Sequence, residues 1–230
     1  MISKLPRWAA FGGAVLAFIA GIINAVGFLG VHQQGLTHLT GSTTLLGIAV
    51  ATHDLSGVVH LAAIIAAFLV GAVASGFIIQ DSTLSLGRRY GVALVIESAL
   101  LFLAVPLLRG GSLAGDYLAS CACGLQNAMA STYSGAVLRT THVSGAFTDI
   151  GILVGQWLRR LPVDVRRLRL SVALILAFGA GGSVGTLAFK RFSYDTLFIP
   201  ATLTGLGGLI YGAYRHRQIQ LQGQDKSISD

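Results

Sequence analysis

Residues Thr141-His142-Val143-Ser144-Gly145, followed by Thr148 and Gly151, repeat a pattern already present as Thr37-His38-Leu39-Thr40-Gly41, followed by Thr44 and Gly47. Each copy trails an Asn set in an apolar run, Gly21-Ile22-Ile23-Asn24-Ala25 before the first and Gly124-Leu125-Gln126-Asn127-Ala128 before the second. The Asn-to-His spacing is 38 − 24 = 14 in one copy and 142 − 127 = 15 in the other. Polar side chains are costly in apolar surroundings, so two ordered copies at nearly equal spacing read as an internal duplication. Ala67-Phe68 with Gly71 matches Ala177-Phe178 with Gly181, which extends the duplication to about four segments per half.

The surroundings of these motifs decide the class of protein. Of 230 residues, 53% are hydrophobic and 11% charged, with a mean hydropathy of +0.73, whereas soluble domains carry about 25% charged residues. Between Trp8 and Gln80 there is no Lys or Arg and one acid, Asp54. A bilayer-spanning helix needs about 20 apolar residues, so this region alone holds several spans. Thirty glycines lie largely inside apolar runs, where transmembrane helices use them for close packing. The net charge of +7 sits in short clusters, such as Arg159-Arg160 and Arg166-Arg167 with Arg169, which fits loop charges better than a nucleic-acid surface. Cys121 and Cys123 lie two apart in an apolar segment and read as small packing residues. Lys4 and Arg7 before an apolar run imitate a signal peptide, but that run leads into the repeated motif and is taken as a retained first span.

The expected fold is an all-α polytopic membrane protein, one membrane domain over residues 1–230, with apolar segments at about 8–29, 40–52, 57–79, 90–108, 113–133, 143–158, 170–189 and 196–214. The first repeat covers 8–108 and the second 112–215; a polar, disordered tail occupies 216–230. If all eight segments cross, Lys and Arg divide 11 against 5 between the two sides. If the second and sixth dip in and return, the division is 13 against 3. Charge asymmetry favours six crossings. Length favours eight, because His142 to Leu158 spans roughly 25 Å at 1.5 Å per residue, and that is the arrangement preferred here. Both place the N- and C-termini in the cytoplasm.

The two Thr-His-x-Thr/Ser-Gly runs fall where one segment has ended and the next begins. Helix N-termini expose N–H groups and positive partial charge, so two such starts brought together by pseudo-symmetry would form a binding site. Thr37, His38, Thr40, Thr141, His142 and Ser144 are its candidate substrate ligands; the alternative is that they cap helices and tie segments together. Asn24, Gln126 and Asn127 either join that site or hydrogen-bond between helices. Arg139 is an interfacial topology charge or a ligand for an acidic substrate. Glu97 and Asp149 are the acids embedded in apolar segments and are the candidates for ion coupling. Asp149, seven residues after His142 and so on nearly the same helical face, is the more informative; its alternative is a static pair with Arg139 or His142. Gly71-x-x-x-Ser75, Gly151-x-x-x-Gly155, Gly181-x-x-x-Gly185 and Gly208-x-x-x-Gly212 read as packing spacings, within the fold or between copies in a homo-oligomer.

No phosphate-binding Gly-x-x-x-x-Gly-Lys-Ser/Thr loop, no His-Glu-x-x-His and no close set of histidines occurs, so neither an ATP-driven pump nor a metal or other cofactor is expected. An intramembrane enzyme ranks last, for want of a nucleophile. On Asn24, the 37–41 run, the 124–128 run and Arg139 to Gly145 with Thr148, Asp149 and Gly151, the chain resembles the YoaK-like family of bacterial integral membrane proteins, a domain of unknown function. Ser42 and Ser144 stand where that family's pattern has Asn and Thr. The resemblance implies a polytopic inner-membrane protein and supplies no substrate. The function expected is that of a small-molecule permease embedded in the lipid bilayer, its substrate unidentified; the alternative is a membrane scaffold presenting helix surfaces to a partner.

Overall fold

The computed structural model describes residues 6–79, 89–134 and 139–229. They form α1 (Arg7–Leu29), α2 (Leu39–Ala51), α3 (Leu55–Ile78), α4 (Arg89–Arg109), α5 (Ala114–Ser134), α6 (Val143–Leu158), α7 (Val165–Phe192) and α8 (Phe198–Ser229), with a 3-10 turn at Ser193–Leu197. Among the described residues there is no strand. Four helical stretches are long and apolar enough to cross a bilayer: Trp8–Leu29, Leu55–Ile78, Arg89–Arg109 and Val165–Tyr214. The last, with 50 residues, would be about 75 Å if straight. It breaks at Ser193, whose left-handed φ of 51° no continuing helix adopts.

Two buried clusters mark the two ends of the bundle. One gathers Ala9 of α1, Ile79 after α3, Tyr90 of α4, Tyr133 of α5 and Leu170 of α7. The other gathers Val26 of α1, Leu108 of α4, Ala119 of α5, Tyr194 and Leu197. Thus α1, α4 and α7 run from the first end to the second, and α3, α5 and α8 run back. The C-terminal turn of α1 and the loop after it meet the far end of α7 through the Val31 N–H, which donates to the Tyr194 hydroxyl at 2.7 Å.

Glycines set the closest approaches. A Cβ on Gly21 would collide with the Phe178 carbonyl, and one on Gly181 with the Phe18 carbonyl, so α1 and α7 cross backbone to backbone. Gly124 meets the Phe68 carbonyl and Gly71 the Cys121 carbonyl in the same way where α3 crosses α5. Gly21 with Gly124, and Phe68-Gly71 with Phe178-Gly181, are the residues paired by the sequence pattern. Gly151 and Gly155, by contrast, would meet nothing within 4 Å with a Cβ added, so among the described residues that spacing carries no packing, whereas Gly208 and Gly212 of α8 lie against Gly91 of α4.

The short helices α2 and α6 differ from the rest. After Leu29 the chain doubles back along α1: the Gln34 N–H donates to the Gly27 carbonyl at 3.0 Å, and the Thr37 N–H to Asn24 Oδ1 at 3.4 Å. Helix α2 therefore starts inside the bundle, packs on α3 and ends where α3 begins. At 13 residues it is about 20 Å long. Helix α6 likewise starts beside Asn127, through the Thr141 hydroxyl at 3.2 Å, and packs on α7. This bond sets the start of α6 beside the middle of α5. Helix α8 continues to Ser229, through most of the stretch read as a polar tail.

Candidate functional site

The two starts converge. A cleft of about 320 Å³ is lined by Thr37, His38, Leu39 and Thr40 from the first motif and by Arg139, Thr141, His142 and Ser144 from the second, with Phe68, Asn127 and Ser131 between them. It lies where α3 crosses α5, so the rigid backbone contact at Gly71 and Gly124 fixes the wall from which Phe68 and Asn127 project.

Each motif residue has a local reason to be there. His38 is the N-cap of α2, and its Nδ1 accepts the Gly41 N–H at 3.2 Å. His142 holds the same place on α6, where a Cβ on Gly145 would run into the imidazole. The glycine three residues after each His thus leaves room for the ring to fold over the first helical turn. Thr44 and Thr148 bond back to the carbonyls of Thr40 and Ser144, each at 3.0 Å. Asn24 and Asn127 both hold their own motif by a side-chain oxygen, one through the Thr37 N–H and the other through the Thr141 hydroxyl. The Thr37 side chain is 3% exposed, and its hydroxyl has no partner among the described residues.

Four sequence candidates fall outside the cleft lining. Asn24 acts behind it, on the Thr37 backbone. Gln126 is fully buried and donates to the Leu16 carbonyl at 2.7 Å, joining α5 to α1. Asp149 pairs with Arg167 of α7 at 2.6 Å, not with Arg139 or His142. His142 is the N-cap of α6 with non-helical backbone, so the seven-residue spacing does not by itself set the two on one helical face. Glu97 is fully buried in α4, and neither carboxyl oxygen has a partner among the described residues.

Sequence reasoning missed a second polar group at the opposite end from the chain's N-terminus. His32 Nδ1 meets Asp116 Oδ2 at 2.5 Å, His60 Nδ1 meets the Tyr117 hydroxyl at 3.1 Å, and the two imidazoles lie 5.8 Å apart. These residues come from three separate segments. Their only sequence signal is that each stands near a segment boundary, and the six-crossing arrangement puts those boundaries at one end.

Neither the curated proteins nor the solved structures contain a match to the chain. A family model does match, over residues 12–210, which span both motif copies and every residue of the cleft. The chain therefore belongs to the family described as Protein of unknown function (DUF1275).

Proposed function

We propose that the chain is a small-molecule secondary transporter whose substrate site is the cleft between the two motif copies. The observation that carries this reading is the convergence of both copies on one cavity. Repeat mates run in opposite directions, α1 against α5 and α3 against α7, and α2 and α6 enter the bundle from opposite ends. Inverted halves meeting at discontinuous helices are a common transporter architecture. On this reading six helices cross and two re-enter, with Lys and Arg divided 13 against 3, which puts both termini in the cytoplasm. A bacterial inner membrane is what the YoaK-like resemblance implies.

Glu97 replaces Asp149 as the preferred coupling acid. Glu97 is fully buried with neither carboxyl oxygen partnered among the described residues, and an acid inside an apolar span is a functional candidate by default. Asp149 already has a cation.

The test starts from the purified protein, screened by thermal shift against metabolite and ion panels, and proceeds to uptake of the stabilising compound into proteoliposomes. His142→Ala and Asn127→Ala should each cut uptake by about tenfold or more, the equivalent of ~1.4 kcal/mol of binding, with the melting temperature kept near wild type. Unchanged uptake in both variants would end the assignment. Glu97→Gln should abolish uptake driven by a pH gradient while leaving exchange of solute at equal pH.

A further inference from the structure

Hydrogen-bond bookkeeping in the cleft, taken with the proposed transport role on which it rests, leads us to infer that the solute is a small anion. Two of the acceptors that line the cleft are committed, and the rest belong to hydroxyls and to His142, which can donate as well. His38 Nδ1 takes the Gly41 N–H, which in a neutral imidazole leaves Nε2 as a donor. Asn127 Oδ1 takes the Thr141 hydroxyl, which leaves the amide NH2 to donate. The guanidinium of Arg139 can only donate. Among the described residues no carboxylate lines the cavity.

Two helix starts add to this surplus. Helices α2 and α6, of 13 and 16 residues, direct their N-termini at the same space, and a helix N-terminus offers free N–H groups and about half a positive charge. A second observation is Thr37, a lining residue 97% removed from solvent, whose hydroxyl nothing among the described residues meets. Among the described residues a cation would find no counter-charge here, whereas an anion would find Arg139. Leu39 and Phe68 supply an apolar wall, which accommodates the carbon end of a short carboxylate as well as a bare inorganic ion.

The experiment uses the full chain in nanodiscs, with sodium chloride, nitrate, phosphate, acetate or succinate titrated at ionic strength balanced by sodium gluconate. Acetamide, glycerol and urea are the neutral probes, and guanidinium and tetramethylammonium gluconate the cationic ones. At least one of the five anions should raise the melting temperature saturably, and comparing the inorganic with the carboxylate arms identifies which class the site takes. Arg139→Gln should weaken that effect about tenfold or more, with Arg139→Lys partly restoring it, as expected for removal and return of a charge-assisted contact. Asn127→Asp, which places a carboxylate in the cleft, should abolish it.

Failure of the anion inference and failure of the transport reading look different. Saturable anion binding without flux into proteoliposomes keeps the anion site and removes transport. Binding and flux of acetamide, glycerol, urea or a cation, with no response to any anion, keeps transport and overturns the anion inference. No stabilisation by any of the five anions overturns it, as does stabilisation that survives both Arg139→Gln and Asn127→Asp.

Discussion

At Gly71 and Gly181 a single methyl group would have to occupy the space of a carbonyl on the crossing helix. Neither backbone can shift without moving a whole helix, so Gly71→Val and Gly181→Val should cost at least the ~1–3 kcal/mol typical of overpacking. Loss of monodisperse protein on size-exclusion chromatography would report it. Gly47→Ala and Gly151→Ala meet open space and should leave the melting temperature unchanged or slightly raised, because Ala favours a helix by up to about 1 kcal/mol. This contrast also shows what a spacing can say. A small-x-x-x-small pattern reports that a helix has a smooth face, but the presence of another helix on that face depends on the remote chain. The repeated Asn, Thr, His and Gly were legible because each works within its own copy, through bonds spanning 3 to 14 residues. The solitude of Glu97 and the Arg167 partner of Asp149 were not, since both follow from packing between helices.

Helix boundaries tell a similar story at the next scale. The sequence places a segment at 143–158 and the structure gives Val143–Leu158; it places one at 90–108 and finds Arg89–Arg109. It begins the seventh segment at 170, whereas α7 starts at Val165. Arg166, Arg167 and Arg169 read as loop charges, yet Asp164 caps them into the helix by accepting the N–H groups of Arg166 and Arg167, each at 3.0 Å. Asp54 does the same for α3. The Gly57 N–H, at 3.0 Å, and then the Ser56 hydroxyl, at 2.7 Å, hold its carboxyl below the usual carboxylate range. A depressed folded-state value means that the stabilisation is present above the unfolded carboxylate value and is lost as pH falls through the folded one. Asp54→Ala should therefore lower the melting temperature at neutral pH, and the gap from wild type should close as the pH is taken below the usual carboxylate range. A gap independent of pH would assign the loss to something other than the charge.

For the whole molecule, the crossing number has a direct chemical readout. If α2 and α6 re-enter, the loop after α4 faces away from the cytoplasm; if all eight segments cross, it faces inward. Gly110 is exposed there, and a Cβ at that position makes ordinary contacts. With Cys121 and Cys123 replaced by Ala, Gly110→Cys should react with a membrane-impermeant maleimide added to intact cells. Leu161→Cys, at the exposed turn after α6, should react only once the membrane is opened. Labelling of both only after permeabilisation would restore eight crossings. Composition and charge gave the sequence reading its membrane class, and the better of its two charge divisions agrees with the helix directions described above. Its preference for eight crossings rested on segment length, which does not reveal where a segment is tethered.

The crossing of α1 with α7 also has a consequence in time. Gly21 meets Phe178 and Gly182, so the first helix made is completed by one of the last, 182 − 21 = 161 residues later. At about 5–20 residues per second, roughly 8–32 s of synthesis separate the two. During that interval α1 stands in the bilayer with a bare seam of backbone turned to lipid, and α3 and α5, whose glycines are 124 − 71 = 53 residues apart, close their own seam well before it. A ribosome that stalls short of α7 thus leaves a product with its second seam made and its first still open, a lesion that membrane quality control could read without reference to the substrate site.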